Sequence, residues 1–267
     1  MKKFFIFAIA LVAGALAFTS CNGNDPKNPG EYDPKDYVGT QWVTDSTRTP
    51  DGLSPAPHAY IKVKSESLVE INGYDTQYKI DGAKMTIHVG EEYPMTLDIQ
   101  SADKDHAILL MPWGDEQGNP VTAIVYMTRI DEPKGSQLPV TEANVLGKWR
   151  LAYFVRTETY YEEGSTEPQQ DIIKHGMAGV ETHEFKTNGE YTVSNSFDFM
   201  WDAEPLQGWW EIKNGLIVYA TTDKPAEIPA EWYMTATVYE NVMTTHQVHS
   251  MYNGGTMEYL YYFIRLQ

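Results

Sequence analysis

The strongest constraint on this chain is a recurring pair, Asn or Asp followed by Gly, set between short runs in which apolar and polar residues alternate. Asn72-Gly73 and Asp81-Gly82 carry it in the first half, and Asn188-Gly189, Asn214-Gly215 and Asn253-Gly254 in the second. These residue types accept the positive φ values that a two-residue hairpin turn demands, so each pair predicts two antiparallel strands joined tightly. The flanking runs have period two: Ile61 with Val63, Tyr78 with Ile80, Met85 with Ile87, then Tyr191 with Val193, Trp210 with Ile212 and Ile217 with Tyr219. Such alternation puts one side of each strand in a core and the other towards water. No apolar run at helical spacing exceeds two turns. Residues 140–145 read as a short opening turn, and residues 171–180 are ambiguous between helix and strand. The expected class is all-β.

The strands fall into two blocks that look like divergent copies of one plan. The first opens Tyr37-Val38-Gly39-Thr40-Gln41-Trp42 and closes Ala123-Ile124-Val125-Tyr126-Met127-Thr128-Arg129. The second opens Val145-Leu146-Gly147-Lys148-Trp149 and closes Tyr261-Tyr262-Phe263-Ile264-Arg265. A polar break at residues 131–142 separates them, and residues 21–36, with three prolines and no aliphatic side chain, read as a flexible tether. The expected organisation is thus a leader at 1–20, a tether at 21–36, a β-domain at 37–130, a linker at 131–142 and a second β-domain at 143–267.

Gly147-Lys148-Trp149, the hairpin from Phe185 to Tyr191, the run Gly208-Trp209-Trp210 and the closing Phe263-Ile264-Arg265 resemble the lipocalin-like domains of exported lipoproteins, and more distantly the lipocalins and fatty-acid-binding proteins. The resemblance covers residues 143–267; the first block departs from it by one residue, Gly39-Thr40-Gln41-Trp42. It implies two tandem antiparallel meander barrels. In such a barrel the last strand pairs with the first, so an Arg from one end can lie across a Trp from the other. Trp42 with Arg129, and Trp149 with Arg265, are the expected structural closures.

The N-terminus is a separate signal. Met1-Lys2-Lys3 precedes an almost wholly apolar stretch from Phe4 to Phe18, then Thr19-Ser20-Cys21, and Cys21 is the 1 cysteine of the chain. A basic start, a short apolar run and small residues at the cut site fit a secretory signal, too short to span a bilayer comfortably. The segment resembles lipoprotein signals of the Bacteroidetes type, with Phe18 in the position where Leu is usual. That resemblance implies a diacylglyceryl thioether and an acylated amine on Cys21, fatty chains of the palmitate kind, and a protein anchored to the outer membrane. Asn22 behind the cysteine is in keeping with that membrane; its periplasmic or surface face stays open.

The net charge of -17 argues against nucleic-acid partners, since a phosphate backbone must be met by clustered Lys and Arg. No Cys cluster, His-Glu-x-x-His, Gly-x-Ser-x-Gly, phosphate-binding loop or dinucleotide fingerprint occurs. His246 and His249 lie three apart, on opposite sides of a strand, and read as surface residues. Asp198, Asp202 and Glu204 read as a solvated acidic loop. No cofactor, metal or catalytic residue is therefore expected. Aromatic side chains carry more weight, because 18 Tyr and 7 Trp exceed what small cores need. Strand alternation puts Trp210 in the core and Trp209 on the outer, exposed face. Phe199, Trp201, Trp209 and Trp232 are the candidate contacts for an apolar or carbohydrate ligand. The function expected is a non-enzymatic, lipid-anchored binding protein of the cell envelope; the alternative is an accessory subunit that binds another envelope protein.

Overall fold

The computed structural model describes residues 32–49, 52–54, 59–89, 93–114, 118–130, 132–162, 166–176, 181–195, 205–251 and 254–266. Cys21, Phe199, Trp201, the three acids at 198, 202 and 204, and the Asn253 turn residue lie outside them. The chain forms two tandem antiparallel meander barrels. The first comprises β1 (Gln41–Thr49), β2 (Gly52–Ser54), β3 (Tyr60–Val63), β4 (Leu68–Ile71), β5 (Tyr74–Asp81), β6 (Lys84–Val89), β7 (Tyr93–Ala102), β8 (His106–Gly114) and β9 (Pro120–Arg129). After a one-turn helix α1 (Glu142–Val145), the second comprises β10 (Gly147–Tyr161), β11 (Pro168–Gly176), β12 (Glu181–Phe185), β13 (Glu190–Asn195), β14 (Leu206–Lys213), β15 (Leu216–Ala220), β16 (Thr235–Val238), β17 (Val242–Ser250) and β18 (Thr256–Arg265).

The two copies agree at the level of single residues. In the first, Trp42 stands opposite Arg129, and the β1–β9 register shifts between Thr44 and Ser46. In the second, Trp149 stands opposite Arg265, and the β10–β18 register shifts between Leu151 and Tyr153. A bulge three residues after each Trp, at Asp45 and Ala152, bends the opening strand, so its two parts serve different neighbours. The first half of β1 pairs with β3 and its second half with β2. The first half of β10 pairs with β12, and its remainder with β11. The stretch at 171–176, ambiguous in sequence, is thus the strand that lengthens this arm.

The turns follow the residues that make them. Asn72-Gly73 and Asn214-Gly215 both hold two successive positive φ values, the type I′ geometry. At Asp81-Gly82 only Gly82 is positive and Asp81 already pairs with Lys84, so the two-residue loop is Gly82-Ala83. Asn188-Gly189 also departs from the expected type I′ turn: only Gly189 has positive φ, and Asn188 accepts a side-chain bond from the Glu190 amide at 3.1 Å. Phe185 and Tyr191 still face each other across that hairpin.

The first domain begins earlier than composition suggests. Tyr32, expected in the flexible tether, is 5% exposed and packs into the first barrel's core, followed by a 3-10 turn at Pro34–Tyr37. A single large ring offers enough buried area to hold a polar segment that has no aliphatic residue of its own. The core it joins includes Trp42, Val69, Tyr78, Ile87, Leu109 and Met127. Tryptophan, tyrosine and methionine from facing strands leave a residual apolar void of only about 60 Å³.

The barrels meet through side chains that no local pattern identifies. Val43, Tyr60 and Ile130 of the first form one buried cluster with Tyr153, Tyr262 and Ile264 of the second. Tyr153 lies 4.7 Å from Tyr60 and stacks on Tyr262 at 4.9 Å. Two ion pairs cross beside it: Arg150 to Asp45 at 2.9 Å and Lys174 to Glu70 at 2.5 Å. The Lys174 amide donates to the Asn72 carbonyl at 3.2 Å, which ties β11 to the β4–β5 turn. Gly176 fits here because it lacks a side chain: a Cβ would stand 2.4 Å from the Ala59 carbonyl oxygen.

Candidate functional site

The expected closures differ between the copies. Arg265 lies over Trp149 with its guanidinium carbon 4.0 Å from the ring centroid. It also donates to the Leu146 carbonyl at 2.9 Å and to the Asn144 carbonyl, while the indole N–H of Trp149 donates to the Val145 carbonyl at 2.7 Å. Helix α1 is thereby pinned across one end of the barrel through carbonyls its own hydrogen bonds do not use. Burial pulls the Arg265 guanidinium below the usual arginine pKa. In the first barrel Arg129 shares the register but turns to the Lys104 carbonyl at 3.4 Å. Tyr37 packs beside Trp42 at 6.3 Å, and the indole N–H goes to the Thr40 hydroxyl at 2.7 Å. A tyrosine from the opening 3-10 turn packs where the expectation put the arginine.

Trp209 is not exposed. It does point away from the Trp210 core, yet it is 7% exposed, with Lys224 5.3 Å from its ring. Lys224 pairs with Glu211 at 2.7 Å, and the Tyr233 hydroxyl donates to the same carboxylate. Those two hydrogen bonds hold the Glu211 carboxyl below its ordinary pKa, and the same contact pushes Tyr233 up to about 12. Alternation reports which side of a strand a residue takes, but not which later segment crosses that side. Here residues 221–233 form a strap across β14 and carry Trp232 to the opposite side of β15.

The strap ends at the weakest seam of the second barrel. Among the described residues, β15 and β16 share only the bridge Ile217–Met234, with backbone bonds of 3.0 and 2.7 Å. The far end of β15 and the far end of β17 therefore diverge. A cavity of about 760 Å³ opens between them and reaches the barrel interior. Its apolar wall includes Leu151, Phe154, Tyr219 and Tyr261, and Trp232, 38% exposed, stands at its rim. Rings continue up the inward side of β18: Tyr261 stacks between Phe263 at 6.4 Å and Tyr259 at 6.0 Å.

Polar groups occupy the inner end. His183 is buried, edge-on to Phe263 at 4.9 Å and to Tyr219 at 6.2 Å. Its Nδ1 meets the Tyr191 hydroxyl, and its Nε2 lies 3.3 Å from Glu181 Oε2. Burial raises the Tyr191 phenol well above its ordinary pKa, so the hydroxyl keeps its proton. A carboxylate can only accept, so the contact with Glu181 is donated by Nε2–H. Tyr219 is likewise held protonated by burial and meets the Thr245 hydroxyl at 3.1 Å. His246 and His249 do take opposite sides of β17: His246 pairs with Glu258 at 3.1 Å, whereas His249 lines the cavity and sits edge-on to Tyr259 at 6.0 Å.

Of the candidate contacts, only Trp232 lines this cavity; Trp209 lies under the strap, and Phe199 and Trp201 are outside the described residues. Glu181, His183, Tyr219 and Tyr261 were not singled out by sequence. Period two places each on an inward side, but cannot tell an inward residue that packs from one that borders a void. Among the described residues no group of three or more His, Cys, Asp or Glu is placed to hold a metal ion, and no helix is long and apolar enough to cross a membrane.

No protein-family profile matches the chain, and no curated protein does. Among solved structures, the chain is similar to a protein of unknown function of the DUF3598 family from Nostoc punctiforme, at 11% identity and a TM-score of 0.24. The match covers 88% of this chain and 100% of that one.

Proposed function

We propose that this chain is a lipid-anchored, non-enzymatic binding protein of the cell envelope, and that its second barrel holds a small ligand with an apolar or sugar body. One observation carries the reading: of two barrels of the same plan, the first leaves an apolar void of about 60 Å³ and the second opens a cleft of about 760 Å³ between β15 and β17 that reaches inward residues. The larger volume falls within the range of ligand sites, and small barrels either fill with side chains or hold one ligand. The first barrel then acts as a spacer that the interface cluster joins to the second. Both nitrogens of His183 are engaged by the protein's own groups, which favours holding over proton transfer. The anchor rests on Cys21 and the leader before it, and Asn22 favours the outer membrane. These are the features of a lipocalin-like lipoprotein.

Exposed Tyr161 and Ile172, on the β10–β11 arm, favour the second reading, an accessory subunit docked on another envelope protein. Native mass spectrometry of protein purified without denaturant from its own envelope separates the two. The binding reading expects a constant small-molecule mass released on activation, with occupancy lowered about tenfold by Trp232→Ala or Tyr261→Ala. A chain that carries no small molecule, or that arrives bound to a second polypeptide through the arm, contradicts it.

A further inference from the structure

Among the described residues, the lining of the second-barrel cavity includes the carboxylates of Glu181 and Glu231, the imidazoles of His183 and His249, and no lysine or arginine. Two cations outside that lining each have a carboxylate within ion-pair distance. Arg156, the next inward-facing residue of β10 beyond Phe154, pairs with Glu158 at 3.2 Å, and Lys224 of the strap pairs with Glu211. Glu181 accepts from His183 through one oxygen, and the residue lines the cavity. The rings of Phe154, Tyr219, Tyr261 and Trp232 line the same cavity. Ring faces are negative and attract cations, and a carboxylate among them supplies a charge-assisted hydrogen bond. An anionic ligand would bring like charge to Glu181 with no lysine or arginine among the described lining residues to offset it. The net charge of -17 adds a field that draws cations and repels anions.

We propose that the second-barrel cavity takes an organic cation, a protonated amine carried on a planar apolar body, with the amine at Glu181 and the body against Tyr261 and Trp232. The proposal rests on the reading of this cavity as a ligand site and adds the ligand's charge. Three compounds sharing one indole ring isolate that charge: tryptamine, tryptophol and indole-3-acetate, titrated calorimetrically into the purified chain at pH 7. The expected order is tryptamine tightest by about tenfold or more over tryptophol, with indole-3-acetate weakest. Glu181→Gln should bring tryptamine to within about twofold of tryptophol and leave tryptophol unchanged. Glu231→Gln, at an exposed position of the lining, should narrow the same gap by a smaller factor.

Equal affinity for tryptamine and tryptophol overturns the proposal, as does tighter binding of indole-3-acetate or a charge preference that survives Glu181→Gln. Absence of binding by all three overturns it too. The broader reading then stands or falls separately, on whether the natively purified protein releases a neutral or acidic small molecule.

Discussion

Trp149→Ala lowers the stability of the second barrel by about 4 kcal/mol, near the upper part of the range for removing a buried indole. The ring is 0% exposed, so its loss leaves a void that the strands around it cannot close. Two further contacts disappear with it. The Val145 carbonyl loses the indole donor, and Arg265 loses the surface over which its guanidinium lies. Arg265→Lys should cost less, about 1 to 2 kcal/mol, because an ammonium keeps the charge but cannot fork to the Leu146 and Asn144 carbonyls. Trp42→Ala should cost about 3 kcal/mol, since a tyrosine packs there in place of a cation. Guanidinium titrations followed by circular dichroism give the order. A loss below about 2 kcal/mol for Trp149→Ala would show that the Trp–Arg closure is not what holds that end of the barrel.

Glu70→Ala uncouples the barrels. Glu70 is the one acid between Lys174 of the second barrel and Lys64 of the first, at 2.5 and 3.1 Å, and its side chain is almost fully buried. Removing it strips the Lys174 ammonium of its carboxylate while Lys64 keeps Asp75 at 2.5 Å, at a cost of about 2 kcal/mol to the interface. Calorimetry should then resolve two transitions where the intact protein gives one. Acid should act in the same direction. Burial pushes the Glu70 carboxyl up, but the hydrogen bonds and charges of Lys174 and Lys64 outweigh it, and the pKa lies below 4.5. A group whose pKa is depressed by docking contributes stability above its free value of 4.5 and loses it as pH falls through the docked value. Docking is therefore strong at neutral pH and weakens below pH 4.5, a step that Glu70→Ala removes. Gly176→Val reaches the same end without touching charge, by driving a side chain into the Ala59 backbone. A single unshifted transition in both variants would mean that the barrels are held by other contacts.

These two predictions differ in how far sequence alone could have led to them. The Trp149–Arg265 pairing is legible because both residues sit at fixed distances from the ends of a repeated plan, and the barrel must bring those ends together. Its one-sided use is not: whether Arg129 or Tyr37 packs on Trp42 depends on a turn outside the strand pattern. The interface is not legible at all, since Tyr60 and Tyr153 alternate like any core residue and only the docked pair shows that they face another barrel. Trp209 and His183 show the same limit at the candidate site. One is covered by a strap arriving from a later loop, and the other is buried by Tyr191, Tyr219 and Phe263 from three other strands. The cavity itself arises from a missing set of pairings between β15 and β16, and strands that fail to meet leave no mark in either sequence.

The most direct test of a ligand site confined to the second barrel is fluorine NMR of protein labelled with 5-fluorotryptophan, since the chain has 7 Trp and each reports on one place. A small-molecule extract of the producing envelope should shift or broaden the Trp232 resonance, assigned through Trp232→Phe, and leave Trp42 and Trp113 of the first barrel where they are. An extract that moves no resonance, or that moves those of the first barrel while Trp232 stays fixed, would contradict the account.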